Sequence, residues 1–331
     1  MFLIRRGEGN ALETMIHNPD DIADIFRTQK IGFGRCLEPT MECTKAAIRA
    51  HSIQNRQTIA LLEQDNHVIA WQPRYSHSGP DVELRRIGRN EASTFAGFCN
   101  YHDTELFQPL DTKPLNTSDR EQLFLLAYRG LSCELHAIMT GVVQVQSLFM
   151  ARVERGADSG DASSPTGQKA VEQMLLSWAT WRYRYRYYDQ PLLARSFTGI
   201  EHSIIELDNQ PPCLAASSFF TLKDVPIGTD LVGVAINVLP ISQTKTIVVF
   251  SYPNQDRGIV CASLDRILNS SGYLQKYELS KLVLNRISNV LISPDHFGKW
   301  GPLKTKIVSE AFMQTLRTQR DVEDDAQLML F

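Results

Sequence analysis

The sequence predicts an α+β fold in successive parts, and three observations carry that reading. Two apolar seams at alternating three- and four-residue spacing, within 124–149 and 171–188, predict a long antiparallel helical hairpin. Four β-branched, apolar runs beyond residue 200 predict a C-terminal antiparallel sheet accompanied by helices. Ahead of both lies a segment poor in long apolar runs and rich in Cys, His, Gly and Pro, which predicts a small module held by something other than a large core. The boundaries that follow are 1–30 for an N-terminal helical extension, 31–117 for the Cys/His-rich module, 118–190 for the hairpin and 196–331 for the α+β unit.

In the extension, Asn18 is the expected helix cap and Pro19 the first helical residue, where its missing N–H is no loss. Within the module, short helices are expected at 44–49 and near 56–64, and strands at 67–72 and 82–87. Ser118 and Glu121, three apart before an apolar run, form a capping-box pattern. Behind them Phe124, Tyr128, Leu131, Leu135, Ile138, Val142, Val145 and Phe149 keep heptad phase, which implies a helix of roughly 50 Å. Residues 156–165 read as a flexible connection. Val171, Met174, Trp178, Trp181, Tyr185 and Tyr188 then form a second seam, each stripe expected to bury the other.

That phase decides how 181–188, which alternates aromatic and basic residues, is read. A strand would make a stacking platform for single-stranded nucleic acid. A helix places the aromatics in the seam and the arginines on a solvated flank, and the unbroken heptad favours the helix. Beyond residue 196, runs at 203–207, 214–222, 231–239 and 245–252 predict a meander, followed by helices at about 259–269, 278–289 and 303–318. The tail from Asp321, acidic and then apolar, is expected to be frayed or docked on a partner.

With 331 residues, 43% apolar and 21% charged, the chain can bury a proper core, which excludes a mainly disordered protein. A formal net charge of −3 excludes a chain-wide basic field, so nucleic-acid binding would need a local patch. Arg49, Arg56, Arg85, Arg86 and Arg89 are the candidates, offset in part by Glu83 and Glu91. No run reaches the ~18 apolar residues of a membrane span, and the N-terminus lacks a signal-like apolar stretch. A cytoplasmic protein without a membrane partner is therefore expected, and the hairpin makes a homo-oligomer or a partner chain an expectation too. No phosphate-cradling glycine loop and no Gly-x-Ser-x-Gly turn is found.

Candidate chemistry concentrates between residues 36 and 103. Zinc takes four tetrahedral sulfur or nitrogen donors, commonly from two short knuckles. Cys99-x2-His102 has knuckle spacing, and Cys36-x6-Cys43 is looser but contains Pro39, which suits a turn. The assignment is one structural Zn2+ held by Cys36, Cys43, Cys99 and His102, whose binding energy would stabilise a module with little core. Buried free thiols are the alternative, since free Cys is among the most buried residue types, but that leaves the pairing unexplained. Cys133, Cys213 and Cys261 read as core fillers.

Ala50-His51-Ser52-Ile53, followed by Cys99-x2-His102-Asp103-x3-Phe107, resembles the signature of zinc-supported, treble-clef HNH endonuclease domains over about seventy residues. The layout is also similar to a group of uncharacterised bacterial proteins that carry these segments before a long helix. The resemblance implies a metal-dependent nuclease acting on DNA or RNA, with bacterial defence as its setting. His51 would be the general base that takes a proton from water, and a second divalent metal would stabilise the leaving oxygen. Asp103 would be a carboxylate at or beside that metal, and His102 would serve one of the two metals, not both. The family's central asparagine, which orients the base, belongs shortly before the last cysteine, whereas the nearest here is Asn90. The residues themselves leave His51 open as base, ligand or structural histidine. They also leave a second class of function, a non-catalytic interaction protein in which zinc is structural and the hairpin binds partner chains.

Overall fold

The structure, a computed structural model, describes residues 19–28, 30–76, 79–222, 230–318 and 320–331. In chain order, α1 (Pro19–Thr28) and β1 (Ile48–His51) are followed by the hairpin of β2 (His67–Ser76) and β3 (Gly79–Gly88). Next come β4 (Thr94–Phe98), α2 (Asn100–Asp111), α3 (Arg120–Glu154) and α4 (Pro165–Arg184). The C-terminal part contains β5 (Ile200–Asp208), β6 (Leu214–Thr221), β7 (Gly233–Pro240), β8 (Lys245–Pro253), α5 (Arg257–Ser263), α6 (Gly272–Arg286), β9 (Val290–Ile292) and α7 (Gly301–Thr318). The α+β class holds, with the long helix and the antiparallel sheet in place.

Seven strands form one antiparallel sheet in the order β3-β2-β9-β6-β7-β8-β5, and β1 pairs with β4 in a separate ribbon. The middle strands β6, β7 and β8 are buried almost end to end because both faces are covered. This explains why they read as continuous apolar runs rather than alternating ones. Alternate residues feed two cores. Leu214, Ala216 and Phe220 face Leu279, Val283 and Phe312 of α6 and α7. Ala215 and Phe219 face Phe124, Tyr128 and Leu131 of α3, together with Phe98 and Phe107 of the Cys/His-rich segment.

Several expectations change. The segment 44–49 forms no helix and leads into β1. The β2–β3 hairpin, expected within the Cys/His-rich module, is hydrogen-bonded into the C-terminal sheet through β9, with Ile69 opposite Ile292. β6, β7 and β8 form the expected meander, but β5 pairs with β8 at the far edge. β9, at the end of a run expected to be helical to 289, was not foreseen.

The cap of α3 is Asp119, whose carboxylate accepts from the N–H groups of Glu121 and Gln122. Asn18 lies outside the described residues, and α1 starts at Pro19. The tail is not frayed but packs on its own chain: Leu328 and Leu330 are buried, and the Leu330 N–H donates to Ser280 Oγ at 2.9 Å.

The hairpin of α3 and α4 is present, and most of the first seam is buried. The second seam points the other way: α4 buries Lys169, Gln173, Thr180, Tyr183 and Arg184, while Val171, Met174, Trp178 and Tyr185 are exposed. A π-helical turn over Tyr185–Asp189 then rotates Tyr188 and Asp189 inward. Arg184, expected on a solvated flank, is fully buried against Asp189. Among the described residues, no helix is long and apolar enough to cross a membrane.

Candidate metal centre and the His51 cluster

The site grows from a strand–strand–helix unit. β1 runs antiparallel to β4 with Ile48 opposite Phe98 and His51 opposite Thr94, and β4 leads directly into α2. Cys99 is the N-cap of α2, so His102 comes round one turn later on the same side. The loop carrying Cys36 is tied to β4 by Leu37 N–H donating to the Gly97 carbonyl at 2.7 Å, and a bridge between Arg35 and Ala46 closes it.

Cys36, Cys43, Cys99 and His102 are thereby gathered with their donor atoms within 4.8 Å of one another. His102 Nδ1 lies 3.4 Å from Cys36 Sγ and 3.4 Å from Cys99 Sγ, and the sulfurs of Cys43 and Cys99 are 3.9 Å apart. All three cysteines are free thiols. A tetrahedron with metal–sulfur bonds of about 2.3 Å and metal–nitrogen bonds of about 2.0–2.1 Å has edges of about 3.8 Å and 3.6 Å. The observed edges fit it. This is the only group of three or more such donors among the described residues.

Burial pushes the Cys36 thiol up to about 12, so its thiolate needs a positive neighbour. Burial also pushes Cys99 up, but N–H groups of His102 and Tyr101 at the start of α2, with the Cys36 and Cys43 thiols, outweigh it and leave Cys99 below its usual value.

Glu38 holds the loop between the first two cysteines. Its buried carboxylate accepts from Thr40 N–H at 2.8 Å, Thr40 Oγ1 at 2.7 Å, Glu42 N–H at 2.6 Å and Cys43 N–H at 3.0 Å. Burial raises its proton affinity, yet these donors prevail and keep it below the ordinary carboxylate range. Arg184 reaches the same loop, its guanidinium 3.7 Å from Met41 Sδ.

His51 sits outside the tetrahedron, at the end of β1. Its Nδ1 lies 2.9 Å from the Ala92 carbonyl, an acceptor only, so Nδ1 carries the proton and Nε2 the lone pair. Asn55 Nδ2 donates to Nε2 at 3.1 Å and to Asn90 Oδ1 at 3.1 Å, while Asn55 Oδ1 accepts from Arg89 Nε at 2.8 Å. Asn90, distant from Cys99 in sequence, thus joins His51 through one side chain. Burial lowers the His51 pKa, aided by the Arg129 and Arg89 charges and opposed by the Ala92 bond, which favours the neutral ring.

Asp103 is half-buried on the first turn of α2. Burial raises its pKa, Arg129 opposes and Asp111 adds to the rise. Arg129 itself is buried, paired at 3.0 and 2.7 Å with both Asp111 oxygens. Neither His51 nor Asp103 joins the four-donor group, and no second group forms around them among the described residues.

The basic patch is largely neutralised: Arg85 meets Glu83 at 2.5 Å, Arg86 meets Asp65 at 3.1 Å and Arg89 meets Glu63 at 3.6 Å. Arg49 donates to Thr94 Oγ1 at 3.0 Å, and Arg56 is exposed. Glu38 and Asn55 escaped the sequence reading, although Asn55 lies four residues after His51 and Glu38 lies between Cys36 and Cys43. Comparisons of the chain with protein-family models, curated proteins and solved structures find no match.

Proposed function

We propose that this chain is a zinc-binding protein whose β1–β4–α2 unit works as an HNH-type metal-dependent nuclease on DNA or RNA. The observation that carries the reading is His51: a tautomer-locked, partly buried imidazole at the end of a strand paired with the strand that delivers Cys99 and α2. Three thiolates and one imidazole are the donor set zinc prefers for closed structural sites, hence zinc rather than a harder ion at Cys36, Cys43, Cys99 and His102. Bound there, zinc neutralises the thiolates and holds the β4–α2 junction.

In this reading His51 Nε2 accepts the proton of an attacking water, and burial keeps the ring neutral so that it can do so. Asn55, Asn90 and Arg89 hold the ring's orientation. Arg49, two residues before His51 on the same side of β1, and exposed Arg56 would hold the phosphate diester. A second divalent cation would supply charge stabilisation at the leaving oxygen, and Asp103 is the side chain that would hold it.

One observation favours a non-catalytic interaction protein instead: Asn55 occupies His51 Nε2 and must swing away before water can take its place. Nicking of supercoiled plasmid and cleavage of single-stranded RNA with Mg2+ or Mn2+ separate the two. Cleavage by the wild type that falls at least about 100-fold in His51→Ala, at unchanged zinc content and circular dichroism, is the expected result. Full activity in His51→Ala overturns the assignment of the base. A wild type inactive with every substrate and metal favours the interaction protein.

A further inference from the structure

Segment 31–57 carries the cations Arg35, Lys45, Arg49 and Arg56 against the carboxylates Glu38 and Glu42. Glu38 is turned inward and held by its own loop. All of these cations are exposed, and among the described residues no carboxylate pairs with any of them. Glu42, Glu91 and Glu105, the exposed acids of the same unit, leave them free. On and beside β3, by contrast, Arg85, Arg86 and Arg89 each meet an acid. In a chain of net charge −3 this excess is local.

Backbone pairing brings the free cations to His51. Ala46, the residue after Lys45, bridges to Arg35. Arg49 lies in β1, and its Nη2 donates at 3.0 Å to Oγ1 of Thr94, the residue opposite His51. Arg56 follows Asn55, which touches His51 Nε2. Tyr101 stands on the first turn of α2, 56% exposed, with Lys45 Nζ 5.6 Å from its ring centroid. Its ring also leans on His102, with centroids 5.1 Å apart, which ties it to the candidate metal centre.

Cations free of protein partners are what phosphates require, and each such contact adds affinity through counterion release. An exposed aromatic ring beside them stacks on a base only where that base is unpaired, because a duplex hides its base faces. Between residues 30 and 111, only Ile31 and Ile48 join Tyr101 as exposed large apolar side chains among the described residues. Charge and one ring, rather than apolar area, therefore define the face, which suits an anionic strand better than the apolar centre of a protein partner.

We infer that this face binds single-stranded nucleic acid: Tyr101 stacks on an unpaired base, while Arg35, Lys45 and Arg49 hold the backbone that leads to His51. The inference names the substrate class of the nuclease centre proposed above and rests on that reading. Fluorescence anisotropy tests it without cleavage, with zinc-loaded full chain, no Mg2+ or Mn2+, and labelled oligo(dT), oligo(U) and a DNA duplex of equal length as probes. One or both single strands bind at least about 10-fold more tightly than the duplex, and the two arms assign the sugar. Tyr101→Leu weakens binding about 5–100-fold at unchanged salt dependence, and Tyr101→Phe keeps the wild-type affinity. Lys45→Gln and Arg49→Gln each flatten the slope of log affinity against log salt by about 0.7, and they carry the test should Tyr101→Leu lose zinc. No binding, a duplex held as tightly as the single strands, or zinc-loaded variants that bind like the wild type overturn the inference. A strand that binds as described yet stays uncut when Mg2+ or Mn2+ is added supports the binding face and removes the nuclease. Cleavage with binding indifferent to Tyr101, Lys45 and Arg49 keeps the nuclease and overturns the face.

Discussion

Asn289 and Ser52 stand 237 positions apart in the chain and share a hydrogen bond of 2.8 Å, with Asn289 Nδ2 donating to Ser52 Oγ. Ser52 follows His51, and its N–H donates to the Ser93 carbonyl at 2.9 Å. Ser93 Oγ in turn accepts the Ile53 N–H at 2.9 Å. Asn289 also donates to the Ser217 carbonyl at 2.9 Å, so the residue just before β9 clasps the candidate base loop to β6. The C-terminal unit, which carries no chemistry of its own that the sequence reveals, therefore positions the N-terminal site.

Asn289→Ala removes donors from two buried acceptors at once. It is expected to cost about 1–3 kcal/mol in denaturant unfolding without changing metal content. A loss below about 0.5 kcal/mol, the scatter of ordinary surface changes, would mean the clasp holds nothing.

Arg184 and Asp189 are both fully buried, 3.2 Å apart, with Tyr128 Oη donating to Asp189 at 2.8 Å. Removing one charge strands the other. Arg184→Met and Asp189→Leu are each expected to destabilise by about 3–5 kcal/mol, and the double variant by clearly less than their sum. A double-mutant cycle in urea measures this, and additive losses would show the pair to be uncoupled.

Glu38 organises the loop between Cys36 and Cys43 through four accepted hydrogen bonds. Glu38→Ala is expected to lower metal affinity about 10–100-fold while the four donors remain. Competition against a chromophoric chelator reads the affinity, and an unchanged value would assign Glu38 to folding alone.

His202 on β5 donates or accepts at Ser251 Oγ, 2.8 Å away across the strand pair, and burial, with the Arg120 charge second, pushes its pKa down to about 4. The unfolded chain binds that proton near pH 6.5, the folded chain only near pH 4. The neutral ring's contribution is thus complete above about pH 6.5 and lost as pH falls towards 4, a difference on the order of 3 kcal/mol. His202→Gln should flatten stability between those pH values. An acid limb as steep as in the wild type would place the titration elsewhere.

What could be read from sequence follows what is local. Cys36, Cys43, Cys99 and His102 were legible because ligation needs particular side chains in short-range pairs, and β6, β7 and β8 because strands buried on both faces become continuous apolar runs. The heptad in α4 was legible as a stripe, but a period does not say which neighbour covers it. α4 meets its own chain through buried Tyr183, Lys169 and Arg184, and turns Trp178 outward. Asn289 was illegible as the partner of Ser52 because a hydrogen bond spanning 237 positions leaves no spacing to detect, and Asn90 because it reaches His51 only through Asn55. The helical expectation at 44–49 failed because pairing with β4 outweighs local propensity at Ile48–His51.

Elemental analysis of the purified full chain tests the central claim most directly, on wild type and on Cys99→Ser. One zinc per chain in the wild type, lost in Cys99→Ser, is the predicted result. A wild type that binds no zinc after refolding with the metal under reducing conditions, or a Cys99→Ser variant that retains a full equivalent, would contradict it.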